Sequence, residues 1–129
     1  MSFRADAFRA ANLAPRTQTL TDGLADLAGW FEGAPAWTVR GLTTDDTLRA
    51  QTLAYGGRAK LAAALKQSAQ ERALCVAAAL RVEYLVAGSV DPVMDYDMAA
   101  KFAAAYPVEF ALLVDRIVAL TGQGADPNG

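Results

Sequence analysis

Ala36-Trp37-Thr38-Val39-Arg40-Gly41-Leu42-Thr43-Thr44-Asp45-Asp46 joins two periodicities in one short stretch. Trp37 and Val39 alternate with Thr38 and Arg40, a period of two built from the aromatic and β-branched residues that suit a pleated strand. Thr43 and Thr44 then offer hydroxyls for an N-cap, and Asp45 and Asp46 put negative charge in a first turn, where the helix dipole favours it. A strand should therefore hand over directly to a helix. Arg40 is a polar, outward strand position to which the sequence assigns no partner.

Downstream, apolar residues recur at steps of three and four. Leu48, Thr52, Tyr55, Ala59, Ala62, Leu65 and Ala69 continue the helix, with a break or close crossing expected at Gly56-Gly57, since each glycine costs about 1 kcal/mol relative to alanine in a helix interior. Gln70 to Ala87 is the most apolar segment and reads as the central helix, with Cys75, Ala78, Ala79, Val82, Leu85 and Val86 on its inner face. Gly88 suits a left-handed C-terminal position, and Ser89-Val90-Asp91-Pro92 closes the element. Asp97 is an N-cap for a helix carrying Met98, Phe102 and Ala105. Pro107 pushes Tyr106 out of helical geometry and starts another helix, whose stripe is Phe110, Leu113, Val114, Ile117 and Leu120, with Gly122 at its end.

Upstream, Phe3 to Asn12 suits a short amphipathic helix stopped before Pro15. Arg16 to Thr21 reads as a strand running into the Asp22-Gly23 turn, and Leu24 to Phe31 as one or two helical turns. The expected fold is mainly α, a small helical domain over residues 1–122 with a minor N-terminal β element, and residues 123–129 form a flexible tail.

Composition narrows the function classes. The chain has 129 residues, 53% hydrophobic and 20% charged, enough for one core and unlike a disordered chain. A net charge of -2 gives no long-range attraction to nucleic acid or to an anionic membrane. The longest apolar run, Ala73 to Ala87, is interrupted by Arg81 and Glu83 and falls short of the roughly 20 residues of a membrane span. The N-terminus lacks the apolar core of an export signal, and the single cysteine fits a reducing cytoplasm.

Few residues invite chemistry. Histidine is absent, which removes the commonest general base and metal ligand. Cys75 lies in an apolar helical stretch and reads as a buried, inert thiol. Asp91, Asp95 and Asp97 fail calcium-loop spacing and read as caps and turn formers; Asp45 and Asp46 belong to a helix start. Gly56-Gly57-Arg58 and Gly122-Gln123-Gly124 are too short to cradle phosphate. Arg58, Lys60 and Lys66, with Arg72 and Arg81 beyond, suit a solvated face. No catalytic, cofactor or metal residue is expected. Trp30, Phe31 and Trp37 admit two readings, as core or as a partner-binding surface, because large aromatics dominate both.

Three stretches carry a resemblance: Phe3-Arg4-Ala5-Asp6-Ala7-Phe8-Arg9 through Leu20; Trp30-Phe31 through Thr43; and Ala87-Gly88-Ser89-Val90-Asp91-Pro92 with Tyr106-Pro107-Val108-Glu109-Phe110 and Leu120-Thr121-Gly122. In these the chain resembles the tail assembly chaperones of long-tailed bacteriophages and prophages; Gln51 to Arg72 matches least. The resemblance implies a small helical, non-enzymatic protein of the host cytoplasm, absent from the mature virion, that coats the phage tape measure protein and self-associates into a homo-oligomer. It also implies that a frameshifted longer form recruits the major tail protein in some lineages. The alternative is a phage structural component, a tail-tube or head-tail connector protein; a metal enzyme built on Asp91, Asp95 or Asp97 is a third.

Overall fold

Residues 2–58 and 68–126 are described by a computed structural model. In chain order the elements are α1 (Ala5–Ala10), β1 (Ala14–Pro15), β2 (Thr17–Leu20), a 3-10 helix (Ala25–Trp30), β3 (Trp37–Arg40), α2 (Thr44–Thr52), which widens into a π turn (Leu53–Arg58), α3 (Ala69–Gly88), β4 (Ser89–Asp91), α4 (Tyr96–Ala105), α5 (Pro107–Gln123) and β5 (Ala125–Asp126). Helix predominates, as the spacing predicts. No helix among the described residues is long and apolar enough to cross a membrane.

The strand-to-helix junction forms where the two periodicities meet. β3 pairs antiparallel with β2, Leu20 opposite Trp37 and Thr17 opposite Arg40, and its alternation buries Trp37 and Val39 while Thr38 and Arg40 stay partly exposed. The chain bends at Asp22-Gly23, with Gly23 at φ +79°. Gly41 extends the ladder by donating its N–H to the Arg16 carbonyl at 2.8 Å, and a Cβ there would lie 3.0 Å from the backbone of Leu120 and Thr121. Leu42 donates its N–H to Thr121 Oγ1 at 2.8 Å, and that hydroxyl donates to the Ile117 carbonyl at 2.7 Å. The junction is thus fastened to the last turns of α5.

α5 is the axis of the core. Its stripe of Phe110, Leu113, Val114, Ile117 and Leu120 is buried against Val82 and Leu85 of α3, Ala99 of α4, Leu24 and Leu27 around the 3-10 helix, and Trp37 and Val39. Ala54, Val76 and Ala79 form a smaller cluster where the π turn meets α3. The helix does break its α geometry near Gly56, while the continuation through Ala59, Ala62 and Leu65 lies outside the described residues.

The structure corrects several expectations. Cys75 and Ala78 are exposed, and the inner face of α3 is Val76, Ala79, Val82 and Leu85. This helix is apolar almost all round, so its sequence does not single out one face. Gly88 is not a left-handed cap: the chain passes from α3 straight into β4, which pairs with β3, Ser89 opposite Val39 and Asp91 opposite Thr38 across an irregularity. The sheet order is β2-β3-β4, so the β element is not confined to the N-terminal part. Asp95, not Asp97, caps α4, accepting from Met98 N–H at 2.8 Å. α5 runs to Gln123 and closes on Gly124 at φ +74°, not on Gly122. Ala125–Asp126, expected in the flexible tail, instead pairs with Ala14–Pro15; residues 127–129 lie outside the described residues.

Candidate partner-binding surface

The three aromatics singled out by sequence part company in space. Trp37 is only 2% exposed and donates its indole N–H to Ser89 Oγ at 2.8 Å, tying β3 to β4; Ser89 donates in turn to the Pro92 carbonyl. Phe31 is half-buried and meets Trp37 edge-on, with ring centroids 6.3 Å apart. Trp30 is 76% exposed. Trp37 and Phe31 therefore serve the core, and Trp30 is the one turned to solvent.

Trp30 is nonetheless fixed in direction. Its indole N–H donates to the Tyr106 hydroxyl at 2.6 Å. Tyr106 closes a chain of rings that starts in the core, Trp37 to Phe102 at 5.0 Å and Phe102 to Tyr106 at 5.7 Å between centroids. Pro107, as first residue of α5, holds Tyr106 at φ -130° and ψ 66°, outside helical geometry. A surface tryptophan with its polar edge already bonded loses less freedom on meeting a partner than an unrestrained one. Sequence reasoning missed Phe102 and Tyr106 as its supports; the displacement of Tyr106 by Pro107 was the available signal.

A second feature is an open groove of about 470 Å³ between the β1–β5 pair, the first turns of α2 and the end of α5. Leu13, Pro15, Leu42, Leu48 and Leu120 supply its apolar wall, and Thr43, Thr44, Thr47 and Thr121 its hydroxyls. Among the described residues that line it none is ionisable, and what they offer is apolar contact with a few hydrogen bonds.

Beside the groove, Arg40 does have a partner: its guanidinium meets Asp46 Oδ2 at 2.8 Å. Asp46 also accepts from the Thr43 N–H at 3.0 Å, while Thr43 Oγ1 accepts from the Asp46 N–H at 3.1 Å, completing a capping box. The Arg40 hydrogen bond chiefly, aided by those from Thr43 and opposed by partial burial, lowers the Asp46 carboxyl from 3.8 to about 2. A depressed folded-state value contributes stability above pH 3.8 that is lost as pH falls toward 2. Asp46→Asn should remove that loss. With solvent screening taken into account, wild type should lose about 1 kcal/mol more than the variant over this window, read from urea midpoints. Parallel pH profiles would contradict the assignment.

The three aspartates near Pro92 are structural in placement. Asp95 is committed to its cap and Asp97 to the first turn of α4, while Asp91 lies exposed in β4. Among the described residues, no group of three or more His, Cys, Asp or Glu side chains is arranged to hold a metal. Arg81 reaches Asp115 at 3.5 Å and lies 5.9 Å over the Phe110 ring, joining α3 to α5. Lys60, Lys66 and the side chains of Arg58 and Arg72 lie outside the described residues, so the basic face is not traced further. Compared with known proteins, the chain matches no family model, no curated protein and no solved structure.

Proposed function

We propose that the chain is a non-catalytic assembly chaperone of a phage tail, acting in the host cytoplasm, where it binds the tape measure protein and keeps it soluble while self-associating along it. The observation that carries this reading is Trp30, exposed yet held by Tyr106 at the end of a ring chain anchored in the core. An aromatic anchor of this kind is what a protein interface uses as a hot spot. Further support comes from the other large apolar side chains left in solvent, among them Phe3, Phe8, Val93, Val108 and Leu48, in a chain of this size. An extended amphipathic helix is the partner such surfaces suit, its apolar face laid against exposed aromatic and aliphatic groups. The sequence resemblance supplies the identity of that helix as the tape measure protein. It also supplies the longer frameshifted form that would bring in the major tail protein.

Co-expression with a tape measure protein from the same phage or prophage tests the reading. The expected result is that the partner moves from the insoluble to the soluble fraction with this chain bound to it, and that Trp30→Ser weakens the effect about 10-fold or more. A partner that stays insoluble overturns the proposal. A tail-tube or head-tail connector protein would use the same kind of surface, and its signature differs: it would be recovered by mass spectrometry from purified virions, where a chaperone is absent.

A further inference from the structure

The β2-β3-β4 sheet has two edges, and they are protected unequally. β4 meets β3 through an irregular register and runs directly into Pro92, features that blunt an edge. β2, Thr17-Gln18-Thr19-Leu20, has neither: it contains no charge and no proline, its register with β3 is regular, and Thr17, Gln18 and Thr19 are exposed. The Gly41 N–H bond to the Arg16 carbonyl fixes its phase. Bonded pairs alternate along an antiparallel ladder, so Arg16, Gln18 and Leu20 turn their backbone groups toward β3, while Thr17 and Thr19 turn theirs away. Among the described residues, no strand pairs with that outward side.

We infer that β2 of one copy pairs antiparallel with β2 of a second copy about a two-fold axis at Thr19, joining their sheets into one. The charges flanking the strand select both the occupant and the register. With Thr19 opposite its symmetry mate, Thr17 meets Thr21, Gln18 meets Leu20 and Arg16 meets Asp22 of the other copy. Arg16 and Asp22 then close the ladder at both ends in a non-hydrogen-bonded pair, where facing side chains lie closest. No other two-fold register sets these two residues against each other. Both charges are unanswered within the chain. Neither joins an ion pair among the described residues, and Arg16 Nε is buried there without an acceptor. The complement of this edge, an uncharged β-prone centre with a base at one end and an acid at the other, is the same edge read in the opposite direction.

The inference rests on the self-association in the proposed function and names the strand responsible. Sedimentation of the purified full chain tests it, alongside Thr19→Pro, Arg16→Glu, Asp22→Lys and the last two combined. Wild type should dimerise. Thr19→Pro deletes an outward N–H, leaves the backbone bonds to β3 in place and should weaken the dimer about 10-fold or more. Arg16→Glu or Asp22→Lys alone sets like charges against each other at both ends and should weaken it by a similar factor of about 10. Combining them in one chain reverses both pairs and should restore the dimer, and mixing the two single variants should give a heterodimer. Unchanged far-UV and near-UV spectra keep loss of folding apart from loss of association. A wild-type chain that stays monomeric at its highest soluble concentration overturns the pairing. So does a Thr19→Pro chain that dimerises like wild type, or a combined charge reversal that stays dissociated. A monomeric wild type whose tape measure binding is lost with Thr19→Pro would give the edge to an extended segment of that partner instead. None of these outcomes touches the tape measure reading, which stands or falls by co-expression with the unaltered chain.

Discussion

Trp37→Ala is expected to lower unfolding free energy by about 3–5 kcal/mol, measured by urea denaturation at neutral pH. The side chain is buried at the centre of the sheet, packed by Phe31 on one side and Phe102 on the other. Its removal leaves a large cavity at the seam between β3 and α4. It also leaves Ser89 without the indole N–H that joins β3 to β4. Ser89→Ala separates the two contributions: it strands the buried indole N–H while keeping the ring, and should cost about 1–3 kcal/mol. A loss below about 1 kcal/mol for Trp37→Ala would mean that the junction is not the anchor of the core.

Gly88→Ala is expected to destabilise by about 1–3 kcal/mol, reversing the usual gain from replacing glycine in a helix. A Cβ at Gly88 would stand 2.6 Å from Ile117 Cδ1, 2.7 Å from Cγ1 and 2.8 Å from Cγ2. Ile117 is fully buried and has no room to retreat. The clash is specific, so it should couple: in an Ile117→Ala background, Gly88→Ala should lose most of its cost, a non-additivity of about 1 kcal/mol or more in the thermal or urea midpoints. A stabilised Gly88→Ala protein would show that α3 and α5 do not approach this closely.

These two sites also mark the limits of what the chain discloses by itself. The alternation of Trp37 and Val39, the Thr43 cap and the stripe on α5 are legible because each is a local pattern whose period or cap names its own element. Gly88 reads as a helix stop for the same reason, yet its actual role depends on Ile117, a residue of another helix. β4 escapes because Ser89–Asp91 is too short for its own pattern to announce, and its strand character comes from pairing with β3. Arg40 finds Asp46 only once the turn between strand and helix brings them within 2.8 Å. Cys75 illustrates a different limit: an alanine-rich helix apolar on most sides does not state which side faces in. The candidate surface divides in the same way. Aromatic content at Trp30, Phe31 and Trp37 is visible in sequence, but which of the three turns to solvent is not: Trp30 does, held by Tyr106 at the corner between α4 and α5.

The most direct measurement is the mass, by light scattering, of the complex purified through a tag on the tape measure protein after co-expression with this chain. The account predicts a soluble particle in which several copies of the chain accompany each tape measure protein, with fewer copies retained when Trp30→Ser is used. Recovery of the tape measure protein without this chain would contradict it.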